Sequence, residues 1–128
     1  MSNTIFAVTV DCRDAPRTAQ FWSAVLGREV AEESTTEHMV LLARDDAANE
    51  PRIVFNTVPE PKTVKNRVHL DLISRTFDDE AKRLLSLGAQ RLRDFKGDNS
   101  WSTFADIEGN EFDLIDGSRR DRRHNALA

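Results

Sequence analysis

The chain contains no tyrosine, one cysteine, two tryptophans, five glycines and four prolines in 128 residues. Without tyrosine, no phenol can serve as a catalytic acid. The single thiol, Cys12, excludes an internal disulfide and a cysteine-rich zinc site. It suits a reducing compartment, so a cytoplasmic location is expected. No run approaches the roughly 20 consecutive apolar residues of a membrane span, which argues against an integral membrane protein. The opening MSNTIFAVTVD has neither a basic start nor a long apolar stretch, and is not expected to be a secretory signal. Basic excess is lacking too: 18 Lys and Arg stand against 22 Asp and Glu, a formal net charge of −4. A nucleic-acid binder is normally basic, so no nucleic-acid partner is expected.

Apolar residues make up 39% of the chain, which with glycine is close to the usual share of a globular domain. A chain of this length buries roughly two-thirds of the surface it exposes when unfolded, and needs no staple to fold. The basic charge gathers at residues 119–128, where Arg119, Arg120, Arg122 and Arg123 lie among few apolar residues. No aromatic residue interleaves these arginines, as it would in a single-strand nucleic-acid surface, and the segment reads as a solvated, flexible tail.

The rest reads as one pattern written twice. Residues 4–11 carry a strand signal. Asp14 and Pro16 then open a helix in which Phe21, Trp22, Val25 and Leu26 recur at helical spacing, and Gly27 stops it. Residues 67–73 are again a strand. Thr76 opens a second helix with Asp79 in capping-box position, Ala81, Leu84 and Leu85 form its apolar face, and Gly88 stops it. Three strand signals follow each helix, at residues 29–33, 38–43 and 52–58, then at 90–95, 100–106 and 111–116. The turn Glu108-Gly109-Asn110 has hairpin chemistry. A segment with two prolines, residues 59–66, links the halves. The expected fold class is α+β, two βαβββ modules over residues 4–58 and 66–116 within one domain, residues 1–118, because modules of about 60 residues are marginal alone.

Alternation along the strands sorts the side chains. Phe6, Val8 and Val10 form one apolar set, Val68, Leu70 and Leu72 another, and Phe112 and Leu114 a third; these are expected beneath the helices. Ala7, Thr9, His69, Asp71, Glu111 and Asp113 then share the opposite faces, which are either solvent surface or the wall of a cleft.

The blocks VDCRDAPRTAQFWSAVLG, KNRVHLDL and DIEGNEFDL, set in the doubled order, resemble the vicinal oxygen chelate superfamily, the glyoxalase/bleomycin resistance/dioxygenase fold, and within it the glyoxalase-like branch. The resemblance covers residues 4–116. It implies two modules forming a curved mixed sheet around a cleft, a homodimer, and in many members a divalent metal held by His, Glu or Gln ligands from the first and last strands of each module. Carried onto this chain, those positions are Ala7, His69, Asp113 and a residue near Phe55, with Asn56 beside it. Two of the four keep a ligand type, so the resemblance implies a degenerate metal site: no metal cofactor is expected, and a divalent ion, if bound, falls to His69 and Asp113. Asp71 and Glu111 lie on the same faces but match no family ligand position.

The expected function is binding of a small organic molecule in the cleft. Trp101 and Phe55 would wall it, and His69, Asp113, Glu111 and Asp71 would fix polar groups, with the acidic charge suiting a cation. The alternative is a small lyase, isomerase or dioxygenase-type enzyme in which His69 and Asp113 act as an acid–base pair, with or without metal. A third reading is an interaction protein with a vestigial cleft. Trp22 is expected in the core and His38 at a surface or edge position. Cys12 beside Arg13 and His124 in the tail are expected to have no role.

Overall fold

The structure is a computed structural model that describes residues 3–43 and 50–118. The arginine-rich stretch and His124 lie outside the described residues. The chain divides into two compact units at Lys62 and Thr63, inside the proline-containing link. Among the described residues, no helix is long and apolar enough to cross a membrane.

The first unit contains β1 (Ala7–Cys12), α1 (Ala15–Leu26), β2 (His38–Leu41) and β3 (Arg52–Thr57). Its sheet runs β1-β3-β2, with β1 parallel to β3 and β2 antiparallel to it. The second contains β4 (Asp71–Ser74), α2 (Phe77–Ser86), β5 (Gln90–Phe95), β6 (Trp101–Ala105) and β7 (Glu111–Asp116), in a sheet ordered β4-β7-β6-β5. The fold is thus α+β, with one strand–helix–strands module per unit.

Helix α1 starts where Asp14, in an extended conformation, accepts a hydrogen bond from Arg17 N at 3.1 Å, and Pro16 sits in the first turn. It ends at Gly27, whose φ of +64° is the left-handed conformation that glycine adopts without steric cost. The helix buries Ala15, Thr18, Ala19, Phe21, Trp22 and Val25. Its first N–H donates to Thr57 Oγ1 at 3.1 Å, on the side of β3 that carries Ile53 and Phe55. Trp22 is therefore a core residue. Cys12 is buried as well, its Sγ 3.5 Å from Asn56 O. His38 is exposed on β2, an edge strand, as expected.

In the second unit, Phe104, Phe112 and Leu114 are buried with Leu84 and Ala81 of α2, and the two phenylalanine rings stack at 5.7 Å. Burial of each large side chain contributes about 1.5–3 kcal/mol. The carboxylates of Asp78, Asp79 and Glu80 lie in the first turn of α2, where they favour the positive end of the helix dipole. Buried Asp106 shapes the hairpin: its Oδ1 accepts from Glu108 N at 2.8 Å and Asn110 N at 3.0 Å.

Four expectations fail. Residues 29–33 form no strand. They make one bridge, Val30 to Leu41, before Ser34 N turns back to Ala31 O and ends the ladder. The first strands of both units begin later than their apolar pattern suggests, so Phe6 and Val68 lie outside them and are 74% and 75% exposed rather than covered by helices. Ahead of β4, the backbone N–H and side-chain amide of Asn66 both bond to Glu111, and regular pairing begins at Asp71. Thr76 caps α2 by position only: its side chain makes no capping bond and lies 3.3 Å from the Ser74 hydroxyl instead. The fourth failure concerns Phe55 and follows from the repeat.

The units can be aligned through their hydrogen bonds. Val58 N bonds to Cys12 O, and Gly117 N to Ser74 O, both at 2.7 Å just beyond the parallel pairs Cys12–Thr57 and Ser74–Asp116. Placing Ser74 on Cys12 sets His69 on Ala7 and Asp71 on Thr9; placing Asp116 on Thr57 sets Asp113 on Val54. The first-unit counterpart of Asp113 is therefore Val54, not Phe55. The one-residue difference matters because it exchanges the two faces of the strand. Phe55 pairs with Val10 and Met39, shares their face and is 1% exposed.

Candidate functional site

The register of the second sheet gathers its polar residues on one face. Asp71 pairs with Asp113, Asp113 with Thr103, and Thr103 with Arg93. Glu111 lies two residues before Asp113 on β7, on the same side. Trp101 lies two residues before Thr103 on β6 and pairs with Phe95; their rings stack at 4.7 Å. The alternation read from the sequence thus holds here, and Trp101 shares a face with the carboxylates.

At the centre, His69 Nδ1 lies 2.9 Å from Asp71 Oδ1 and 3.9 Å from Asp113 Oδ2. The Thr103 hydroxyl donates to Asp113 Oδ1 at 2.6 Å. The side chains of His69 and Asp71 are 41% and 42% exposed, and that of Asp113 is 19% exposed, so the group is open to a ligand. Donor atoms of His69, Asp71 and Asp113 all lie within 4.8 Å of one another. One imidazole nitrogen and two carboxylates are a donor set suited to a divalent first-row ion. The residues present therefore fit such an ion, with Asp71 added to the two positions that the resemblance implied.

The first unit has nothing comparable at the same positions. Ala7, Thr9 and Val54 replace His69, Asp71 and Asp113. Val40, which pairs with Val54 as Thr103 pairs with Asp113, replaces Thr103. Val40 and Val54 are buried with Ala31, and Ala7 packs against them. An apolar cluster thus occupies the face that is polar in the second unit. His38 does bond to Asn56 across that sheet, Nδ1 to Oδ1 at 2.6 Å, but with no carboxylate partner in the pair.

Glu111 is on the expected face but is engaged elsewhere: its Oε1 accepts from Asn66 N at 3.1 Å. Phe55 is buried in the first unit. Sequence reasoning missed Thr103, whose hydroxyl is one strand away from the carboxylate it orients. The residue pattern offered no signal for it beyond a polar residue inside a buried strand.

The second unit also contains a cavity of about 150 Å³ whose lining includes Phe77 of α2, Arg91, Asp94, Ser102 and the Phe95–Trp101 pair, but not His69. Its polar lining centres on Arg91, Asp94 and Ser102. Arg91 Nε donates to Asp94 Oδ1 at 2.8 Å, and the buried Ser102 hydroxyl donates to the same oxygen at 2.7 Å. The Ser102 bond, then the Arg91 bond, hold the Asp94 carboxyl below its ordinary range. A depressed carboxyl favours folding above its unfolded-state range, and that contribution is lost as pH falls through the lowered value. In a carbon-detected NMR titration, Asp94 should be among the last carboxylates to protonate, and Ser102→Ala should move its midpoint up toward that of a free aspartate.

A glyoxalase-like domain model matches residues 7–115. The chain belongs to the glyoxalase-like domain family. No curated protein matches its sequence. Several solved structures share the fold of this glyoxalase-like protein. One is a glyoxalase/bleomycin resistance protein/dioxygenase family enzyme from Burkholderia phytofirmans PsJN. It is 16% identical with a TM-score of 0.71, and the match covers 89% of this chain and 98% of that one. Another is a mutant of the fosfomycin resistance protein FosX from Listeria monocytogenes, solved with Mn(II) and 1S,2S-dihydroxypropylphosphonic acid. It is 17% identical with a TM-score of 0.72, over 97% of this chain and all of that one. FosX from Mesorhizobium loti is 17% identical with a TM-score of 0.70, covering 100% and 99% of the two chains. These likenesses show that the glyoxalase-like protein shares the fold of these glyoxalase/bleomycin resistance/dioxygenase and FosX structures.

Proposed function

We propose that this protein binds a small organic cation carrying a planar ring on the open face of its second unit. The observation that carries the reading is a charge imbalance beside an aromatic pair. Asp71 and Asp113 bring two carboxylates to one imidazole, which supplies at most one positive charge, and Trp101 and Phe95 lie on the same face. Among the described residues, the strand pairing brings the cation Arg93 to this face beside Thr103, and Glu111 adds a further acid. An ammonium or amidinium group held by Asp113 and Asp71, with its ring against Trp101, meets both features. The likeness to fosfomycin and bleomycin resistance structures supports small-molecule binding as the kind of activity. The family resemblance supports a homodimer, and a single buried thiol supports a reducing location such as the cytoplasm. The reading treats residues 1–118 as the working domain and residues 119–128 as a basic tail.

A second reading is favoured by the orientation of His69. A histidine held at 2.9 Å by one carboxylate, with a second at 3.9 Å, is arranged to move a proton at its other ring nitrogen, as a small lyase, isomerase or dioxygenase-type enzyme requires. A divalent ion bound there would supply Lewis-acid polarisation of a substrate oxygen.

The binding reading is tested by saturation-transfer NMR with protonated aromatic amines, each paired with the aromatic carboxylate of the same ring. Amines are expected to bind and carboxylates not, and Asp113→Asn should weaken amine binding at least tenfold. Equal binding of both series, or amine binding that survives Asp113→Asn, would sink the reading.

A further inference from the structure

We infer that the cavity bounded by β5, β6 and the start of α2 is a second small-molecule site, built for one uncharged planar ring that carries a hydrogen-bond donor next to an acceptor, as a lactam does. The inference goes beyond the cation-binding reading. None of His69, Asp71 and Asp113 lines the cavity, and only the Phe95–Trp101 pair belongs to both.

The strand is bent to make this place. Residues three apart on a regular strand point to opposite faces. On β5, Arg91 pairs with Phe104 and Arg93 with Thr103, so Leu92 is an extra residue and the strand bulges there. Asp94 then pairs with Ser102, and Arg91 and Asp94 come to lie on one side, that of Phe104 and Ser102. The bulge thus sets a cation and an anion side by side at the cavity.

Both side chains are held in place. Arg91 Nε donates to Asp94 Oδ1 at 2.8 Å and Nη2 to Ser102 Oγ at 3.1 Å, while the Ser102 hydroxyl donates to Asp94 Oδ1 at 2.7 Å. The guanidinium carbon lies 5.8 Å from the ring centres of both Phe77 and Phe104. Among the described residues, Arg91 Nη1 and Asp94 Oδ2 have no hydrogen-bond partner. One donor and one acceptor are therefore left over, on side chains whose ordering cost folding has already met.

Charge and size then select the ligand. Arg91 and Asp94 cancel each other, and Lys96 is set against Asp78 and Asp116 in the lining. An ion of either sign meets a like charge and loses its own hydration. A neutral edge with an N–H beside a C=O meets Asp94 and Arg91 together. The Ser102 and Arg91 bonds hold the Asp94 carboxyl below its ordinary range, so it accepts and does not donate at neutral pH. A volume of about 150 Å³ takes one benzene-sized ring, and the stacked Phe95–Trp101 pair favours a flat one.

The test is a titration with 2-pyridone, followed by amide and indole NMR shifts. Saturable shifts are expected at Asp94, Ser102 and the Trp101 indole. The N-methyl derivative, which lacks the donor, should bind at least fivefold more weakly, and benzoate should not bind. Asp94→Asn should weaken 2-pyridone at least fivefold and let benzoate bind, because the charge of Arg91 is then uncompensated. The Asp94 side chain is 45% exposed, so this variant should keep the wild-type spectrum away from β5 and β6. Asp113→Asn should leave 2-pyridone binding unchanged. The proposal is overturned if no saturable shift appears, if the N-methyl derivative binds equally, or if Asp94→Asn binds 2-pyridone as the wild type does. If Asp113→Asn abolishes 2-pyridone binding, the ring sits on the open face and this proposal falls alone. If 2-pyridone binds as expected and aromatic amines do not bind, the cation reading falls and this one stands.

Discussion

Arg28→Met is expected to destabilise the first unit by about 3 kcal/mol or more, seen as a lowered midpoint in urea with an unchanged slope. Arg28 is buried, although it is a cation that follows the helix-stopping glycine. Its Nε donates to Leu42 O at 2.6 Å, and one terminal nitrogen donates to Pro51 O at 2.7 Å and more weakly to Leu41 O at 3.4 Å. The other terminal nitrogen lies 3.7 Å from Glu50 Oε2. The guanidinium therefore ties the end of β2 to the start of β3 through three backbone carbonyls. Methionine matches the aliphatic stem but satisfies none of these acceptors, and each buried carbonyl left without a donor costs about 1–3 kcal/mol. Arg28→Lys keeps the charge but reaches these points from a single nitrogen, and should lose an intermediate amount. If Arg28→Met is as stable as the wild type, water replaces the fork and the residue is not a structural tie.

Much of the fold is legible because its signals are local. Asp14, Pro16 and Gly27 bracket α1, and the turn at Gly109 separates β6 from β7; each acts within a few residues of itself. The doubled pattern is legible for the same reason. What fails is non-local. Residues 29–33 have strand character, yet their ladder ends after one bridge because the chain turns at Glu32 and Glu33. Ahead of the late start of β4, Asn66 bonds to Glu111, 45 positions away.

The candidate site divides along the same line. His69, Asp71, Glu111, Asp113 and Trp101 share one face because alternation is a property of each strand, and alternation can be read from residue order. The partner of Asp113 cannot, because it depends on register. Thr103 is opposite Asp113 only through the pairing of β6 with β7. The matching first-unit position, near Phe55 on residue order, is Val54 by register, and one residue there separates a buried helix-side ring from the face that carries Ala7 and Thr9. Arg28 was invisible for a further reason: the sequence shows a charge, but not that three carbonyls converge on it.

The repeat makes a direct test of why the second unit keeps this polar face. Thr103→Val with Asp113→Val copies the Val40–Val54 pair of the first unit into the matching positions of the second. Amine binding should fall at least a hundredfold, because the main carboxylate and its orienting hydroxyl are both gone. Stability should hold or rise by up to about 1 kcal/mol, since a partly buried hydrogen-bonded pair is replaced by apolar side chains that pack together. The single variants should behave differently. Asp113→Val alone leaves the buried Thr103 hydroxyl without its acceptor and should cost about 1 kcal/mol, as should Thr103→Val alone. The sum of the singles would then overestimate the loss in the double variant, and a urea-melt cycle on the four proteins measures that difference. A double variant that retains stability but does not bind would mean that the polarity of this face is kept for a ligand. If the double variant loses at least the sum of the singles, the Thr103–Asp113 bond is a structural tie, and the polar face needs no ligand to explain it.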